Sequence, residues 1–416
     1  MNIDLSISVA NPALLSGQRN RGNFHKKAVW GLQAEKGEFR LGGFVGQEGN
    51  ILSVTRSSGI ILPNKAGVMQ SLDNNTLPRT DRGLYANEQR TNKCRNFNAN
   101  PTNLTGMAKA GNAAATLTLV DDTAELAAAG LDDICTSGMV FKLDNSFGGA
   151  TTSYVYLPGY CGNTNPHTMS VYMRATSSAR IVLSTSGGTR WSVPAIYTRR
   201  SATVTPANAT QQLVIEVAAG GIVWFILNQL EEGSFASPPI VTAGAPATRL
   251  ASDIRAVQGT RPSNGQPEPF PGWEAAGLDG GFTVLFDIEA RPRQASARRP
   301  IIFSGGTGAF RVETDNSGAG FRVYSSDGSL DGTNNFPGGL GETRRRFAVR
   351  AQGTTITTAG SGVGSANNET RGFIQQPTQL NIGNQPELVA PWNDWIYGVQ
   401  ICPPLSDAEL LAWVNA

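Results

Sequence analysis

Histidine is nearly missing from this chain: His25 and His167 are the only two among 416 residues. That leaves little material for a Ser-His-Asp or Cys-His nucleophilic site. Cysteine is sparse as well. Cys94, Cys135, Cys161 and Cys402 stand far apart without a C-x-x-C spacing, which argues against a zinc site. Two readings remain for them. They are free buried thiols, since a chain with a proper core needs no staples, or Cys135 and Cys161 bridge two neighbouring candidate strands. Charged residues make up 16% and sum to +2 at pH 7, so charge suggests no nucleic-acid partner. No apolar run approaches the ~20 residues of a membrane span. The first residues, MNIDLSISVANPALL, lack a basic stretch ahead of a long apolar core, so no export signal is expected.

Glycine and proline are plentiful, at 48 and 23 residues. With many Thr, Ser and Val, they indicate short strands joined by tight turns, hence an all-β protein. The length allows two or three cored domains. The reading in order is two jelly-roll β-sandwich domains in tandem, preceded by an N-terminal anchoring region.

Residues 1–82 form that region. It opens on a strand with Ile3, Leu5, Ile7 and Val9 alternating, followed by a basic patch of Arg19, Arg21, His25, Lys26 and Lys27. The patch reads as a docking arm for an acidic partner or as a solvated loop. Residues 51–82 alternate apolar pieces with turns and read as a small β-layer or a wrapping connection between the anchor and the first sandwich. Residues 83–253 carry eight candidate strands, from Ala115–Val120 to Ile222–Leu230, and one short helix at Ala124–Gly130. From His167 to Arg174, Met169, Val171 and Met173 share one face, and Ser170, Tyr172 and Arg174 the other. Residues 254–275, with Pro262, Pro267, Pro269 and Pro271, read as a stiff linker. Residues 276–416 give a second set of strands, from Phe282–Ala290 to Asp394–Ile401.

The stretch Val223–Asp253 organises the first sandwich. An apolar run through Leu230 reads as its last core strand. Glu231, Glu232 and Gly233 end the run, and Pro238, Pro239 and Pro246 hold an extended exit strap. Within it lie Gln229, Leu230, Glu231, Gly233, Ile240, Thr242, Ala247, Thr248, Arg249 and Asp253. Upstream stand Gly83, Leu84, Glu88, Gln89, Arg90, Thr91 and Asn92, and before those Thr55, Arg56, Ser58 and Gly67. Together the three fragments resemble a β-sandwich module of bacteriophage head-spike and tail-fibre virion proteins. The resemblance covers roughly residues 50 to 253. It implies a virion protein assembled in the host cytoplasm, tethered at its N-terminus to capsid, collar or tail proteins. It also implies a homo-oligomer, often a trimer in fibres, although no heptad seam is present.

At the other end, Trp395–Ile401 leads into Leu405, Ser406, Asp407, Ala408, Glu409 and Leu410. Ser406 and Glu409 have capping-box spacing. This close resembles a laminin-G-like, concanavalin A-like jelly roll over roughly 140 residues.

Chemistry-bearing candidates are few. Glycosidases on the concanavalin-type fold carry an E-x-D-x-E strand motif. Here Asp287 and Glu289 occupy two positions, but Leu285 takes the first, and a solvated strand face accounts for the pair. Retaining hydrolysis also needs carboxyls about 5–5.5 Å apart, one with a raised pKa. Asp327 and Asp331, in two Asp-Gly pairs, are weak Ca²⁺ candidates that ordinary turns also explain. Aromatic rings suit sugar faces. The candidates are Tyr154, Tyr156, Tyr160, Trp191 and Tyr197 in the first sandwich, and Trp392, Asn393, Asp394 and Trp395 in the second. Arg298–Arg299 and Arg344–Arg346 are basic clusters for an acidic polysaccharide or a neighbouring subunit's carboxylates, or a solvated edge that protects the sheet. The expectation is a host-facing virion protein that binds surface polysaccharide without catalysis or cofactor. A glycan hydrolase and a purely structural decoration protein are the alternatives.

Overall fold

The computed structural model describes residues 24–42, 44–46, 51–95, 99–184, 191–290, 299–305, 308–314, 320–324, 330–335, 343–361, 367–370, 377–383, 392 and 394–416. For 44–46, 191–192, 290, 305, 308–309, 330–335 and 367–370 this covers the backbone alone. The architecture is all-β, with antiparallel sheets paired into sandwiches.

The chain does not divide in sequence order. One unit comprises Thr55–Thr80 and Asn87–Ser252; the other comprises Met1–Val54, Asp81–Ala86 and Asp253–Ala416. The expected anchoring region therefore splits. Trp30–Gln33 pairs antiparallel with Asp394–Cys402, and Glu38–Leu41 and Phe44–Gly46 extend the same sheet. The cause is apolar: Trp30, Leu32 and Phe39 are buried. The strand expected at 3–9 lies outside the described residues, as do Arg19 and Arg21.

In the second unit, one sheet continues from Asp394–Cys402 through Gly281–Ala290, Thr343–Gln352, Thr355–Gly360 and Asn367–Thr370. The opposing sheet runs from Leu330–Asn335 through Gly320–Tyr324, Gly308–Thr314, Ile301–Gly305, Gln379–Ile382 and Asp253–Ala256 to Leu52–Thr55. Between them stands a spine of rings. Phe282 meets Trp273, Phe303 and Phe310 at 5.2, 4.9 and 5.5 Å, and Phe347 meets Phe286 and Phe321 at 5.2 and 4.9 Å. The segment expected as a linker belongs to this core. Phe270 stacks on Trp30, Trp273 is fully buried, and Arg261 passes beneath to Pro377 O. Its prolines keep it extended, but two aromatic residues dock it.

The C-terminal helix Asp407–Val414 covers the outer face of the first of these sheets. Leu410 and Val414 pack with Leu285, Ala348, Ala359 and Cys402. Its capping box is present: Glu409 N–H donates to Ser406 Oγ at 3.3 Å, and Ser406 N–H to Glu409 Oε2 at 2.9 Å. Lys27 and the Ser406 cap hold the Glu409 carboxyl down to about 2. Ser406→Ala is expected to cost about 1 kcal/mol in chemical denaturation of this unit.

The first unit packs the sheet of Ala108–Gly111, Ser153–Tyr156, Leu213–Val217, Ser178–Leu183 and Trp191–Ser192 against a second. That one is built from Thr116–Asp121, Met139–Asp144, Ile222–Glu232, His167–Ala175 and Thr198–Val204. Met169, Val171 and Met173 face inward among Phe141, Phe225, Ile215 and Val155, as their alternation requires. All four cysteines of the protein are free and buried, so Cys135 and Cys161 are not bridged. Cys135 lies under the hairpin Ile60–Pro63 and Met69–Leu72 on the outer face of the second sheet, whereas Cys161 lies in the inner core.

The strand Ile222–Glu232 contains a bulge. Ser170 pairs with Gln229 and Tyr172 with Ile226, so Val171 faces two residues, Leu227 and Asn228, where Leu227 takes φ +52°. A left-handed Leu is strained by roughly 1–2 kcal/mol. The extra residue resets the alternation. Phe225 and Leu230 both reach the inner core, while Ile226 and Leu227 join the outer cluster with Leu126 and Val140.

Candidate functional site

The motif residues converge on the strap that follows the bulged strand. From Gly233 to Pro246 the strap has no sheet partner, and Pro238 and Pro239 have no N–H to give. Side chains serve its backbone instead. Ile240 N–H donates to Gln229 Oε1 at 2.8 Å, and Ser237 N–H to Glu231 Oε1 at 2.7 Å. Asn92 Nδ2 donates to Ile240 O, Arg249 to Pro238 O, Arg199 to Ser237 O and Thr168 to Gly233 O, at 2.6–2.9 Å. Asn92 is fully paired: it also donates to Asn228 O and accepts from Cys94 N–H and Leu230 N–H. The strand Arg90–Asn92 then pairs with Ala247–Arg249 and closes the strap.

The earliest fragment does similar work. Arg56, buried, donates to Asp73 O at 2.6 Å and to Ser252 Oγ, and Ser58 Oγ accepts from Leu250 N–H. Burial, and then the neighbouring Arg249, lower its pKa to about 10. Buried polar groups must be paired, so these motif residues are explained by the strap.

The surface chemistry lies on the outer face of the sheet Ser153–Tyr156, Leu213–Val217, Ser178–Leu183. Its inward residues are Val155, Ile215, Val217, Ala179 and Ile181. The intervening positions therefore point outward. Register places Tyr154, Glu216 and Arg180 in one row and Tyr156, Val214 and Val182 in the next, and of these Glu216, Val214 and Val182 are buried, leaving Tyr154, Tyr156 and Arg180 partly open. Tyr154 and Tyr156 are half-buried, with centroids 5.6 Å apart and planes at 83°. Arg180 donates through Nε to Glu216 Oε2 at 2.7 Å, and its Nη2 lies 2.6 Å from the same oxygen. Toward the sheet edge the tyrosines adjoin Ala108 and Ala110, which add little bulk. Paired rings beside a fixed guanidinium and carboxylate combine an apolar plane with directional hydrogen bonding. Tyr160, 54% exposed, follows just beyond this strand.

The other expected residues fall elsewhere. Tyr197 is buried; its hydroxyl donates to Asp122 at 2.6 Å beside Arg174, which clamps Asp122 through two bonds. Burial and then the Asp122 carboxylate push that hydroxyl upward. Trp392 is also buried and stacks on Phe321 at 5.8 Å, so neither ring offers a free platform. Asp394 is buried with its carboxylate on Trp395 N–H. Trp191 lies in a strand, but its side chain, like Asn393, lies outside the described residues. So do Asp327, Arg298 and the side chain of Asp331. Among the described residues no metal-ligating cluster occurs. Lys26 is exposed, and Lys27 pairs with Glu409 at 2.8 Å.

The Asp287–Glu289 face is not solvated. Asp287 is 4% and Glu289 8% exposed. Arg344 grips Asp287 with two bonds at 2.7 and 2.8 Å, and Arg346 adds a third. Tyr397 donates to Glu289 at 2.6 Å, and Arg82 approaches it at 3.4 Å. The guanidiniums of Arg82, Arg344 and Arg346 lie over Trp395, Tyr397 and Trp413, 4.3–4.9 Å from the ring centroids. Arg344 and Arg346, expected as an open basic cluster, are thus engaged by a carboxylate within the sheet.

No family model matches the chain, and no curated protein does. Among solved structures, it is similar to a GH54 α-L-arabinofuranosidase at 14% identity and TM-score 0.25, over 44% of this chain and 40% of that one. It therefore spans less than half of that enzyme's length. It is also similar to the tandem CBM22 domains of Paenibacillus barcinonensis Xyn10C (7% identity, TM-score 0.26, 77% and 100% covered). A third is the LG4-5 domains of mouse laminin α1 (10%, 0.22, 84% and 87%). All three likenesses are faint, and the functional reading rests on the residues.

Proposed function

We propose that this chain is a non-catalytic glycan-recognition protein, with the sandwich of residues 87–252 binding polysaccharide through the outer face that carries Tyr154 and Tyr156. The observation that carries the reading is the edge-to-face tyrosine pair in register with the Arg180–Glu216 ion pair. Pyranose C–H faces pack on such rings, and the half-buried Arg180 guanidinium, held by the buried Glu216 carboxylate, donates to hydroxyls. Supporting the absence of catalysis, Asp287 and Glu289 are buried among arginines and a tyrosine, and only two histidines exist. In keeping with the motif resemblance, the setting is a phage-type particle, with residues 1–23 as the tether. That the strands from Trp30 to Gly46 pair within a sheet supports confining the tether to the residues before them.

The test of the binding face is isothermal titration against a panel of neutral and acidic bacterial polysaccharides. The double substitution Tyr154→Ala/Tyr156→Ala is expected to weaken binding about tenfold or more with an unchanged melting midpoint. Unaltered affinity would remove the face from the account. Deleting residues 1–23 alone is expected to leave a folded protein that no longer joins particles.

A further inference from the structure

We propose that His167 and Lys93 form an acid-released latch that fastens the segment 157–166 to the end of the strand Arg90–Asn92. His167, fully buried, opens its strand with both ring nitrogens engaged. Nδ1 lies 2.7 Å from Asn165 O; Nε2 lies 2.9 Å from Cys161 O and 2.8 Å from Lys93 Nζ. Lys93 Nζ also donates to Cys161 O, and its own N–H donates to Leu230 O. An ammonium has only hydrogens to offer, so the nitrogen it meets must present a lone pair. The neutral imidazole therefore carries its proton on Nδ1, donated to Asn165 O, and accepts from Lys93 at Nε2.

A second proton has one place to go, Nε2, where it would point at the ammonium. Two cations then share a buried site, and Lys93 must withdraw. A destination stands by: Glu232 lies 3.7 Å from Lys93 Nζ, and its carboxylate receives Asn163 and Asn165 at 2.8 and 2.6 Å. The vacated Cys161 O becomes the acceptor for the new Nε2–H.

Backbone bonds hold the same segment at its ends and middle: Leu157 N–H donates to Leu213 O, Arg95 N–H to Pro158 O, Cys161 N–H to Gln211 O, Gly162 N–H to Ala209 O and Gly233 N–H to Pro166 O, and Gly159 packs directly on the Lys93 carbonyl. The charged groups facing the ring are Lys93 and Glu232; the nearby Cys161 thiol is pushed upward by burial and stays neutral. Burial first, with Lys93 also contributing, lowers the His167 pKa from 6.5. The sign follows. Unfolded or opened chains bind the proton more readily, so the latch is complete above 6.5 and weakens as pH falls toward the lowered value. Glu232, held low by Asn163 and Asn165, titrates below this window.

The test is hydrogen exchange of the intact protein from pH 8 to 5, corrected for intrinsic exchange rates. Amides of 157–166 are expected to open up to roughly tenfold more for each unit below 6.5, ahead of the sheet strands. The ¹⁵N signals of His167 should report the Nδ1–H tautomer at pH 7. His167→Gln should flatten the pH dependence, and Lys93→Met should raise the His167 titration point. The tautomer and exchange measurements on the unaltered protein decide the matter even where a variant fails to fold. An Nε2–H tautomer, or exchange in 157–166 that ignores pH between 7 and 5, would overturn the latch.

Discussion

Asn92→Ala is expected to lower the unfolding free energy of the sandwich of residues 87–252 by about 3–5 kcal/mol. The amide makes four bonds in a site without solvent, two donated to Asn228 O and Ile240 O and two accepted from Cys94 and Leu230. Truncation strands four backbone groups, each costing about 1–3 kcal/mol when water cannot reach it, with local relaxation recovering part. The damage should be local first. Amides flanking Ile240 should exchange early, because the strap 233–246 is fastened by side chains rather than by a sheet ladder. Chemical denaturation and exchange mapping check both parts. A loss under 1 kcal/mol would mean that the strap is held by something other than this network.

Trp273→Ala is expected to cost the second unit about 3–5 kcal/mol. Trp273 is fully buried against Phe270, Phe282 and Phe303 at 5.2–5.6 Å, and its Nε1–H donates to Asp279 at 2.8 Å. A residue in a stiff linker would tolerate the change within about 0.5 kcal/mol. The two outcomes are far apart, and one urea titration separates them.

Local pattern was legible where it reported on one strand or helix. The strands at 139–144, 153–156, 167–175 and 213–217 and the capped helix after Ser406 fall where alternation and capping chemistry place them. Connections between distant parts of the chain were not legible. Nothing in WGLQ says that it pairs with residues 398–401, since any apolar strand would suit that edge. The proline count at 262–271 masked Phe270 and Trp273, whose rings decide where that segment lies. The bulge at Leu227 was hidden inside a continuous apolar run, yet it is what turns Gln229 and Glu231 toward the strap.

For the candidate site, aromatic content alone could not rank the rings. Tyr154 and Tyr156 alternate with Ser153 and Val155, which puts both on one face, and that signal was present in the sequence. Tyr197 and Trp392 gave no sign of burial, because Asp122 and Phe321 reach them only in the folded chain. The Asp287–Glu289 spacing correctly placed both carboxylates on one face, but a helix more than a hundred residues away covers part of that face.

The central claim is recognition without turnover. It is tested most directly by incubating the intact protein with host surface polysaccharides and measuring, in the same samples, bound polymer and released reducing ends. The account predicts saturable capture that the Tyr154→Ala/Tyr156→Ala protein loses, with reducing ends at the level of a protein-free control. Reducing ends that accumulate with time, and disappear on Glu289→Gln, would contradict it.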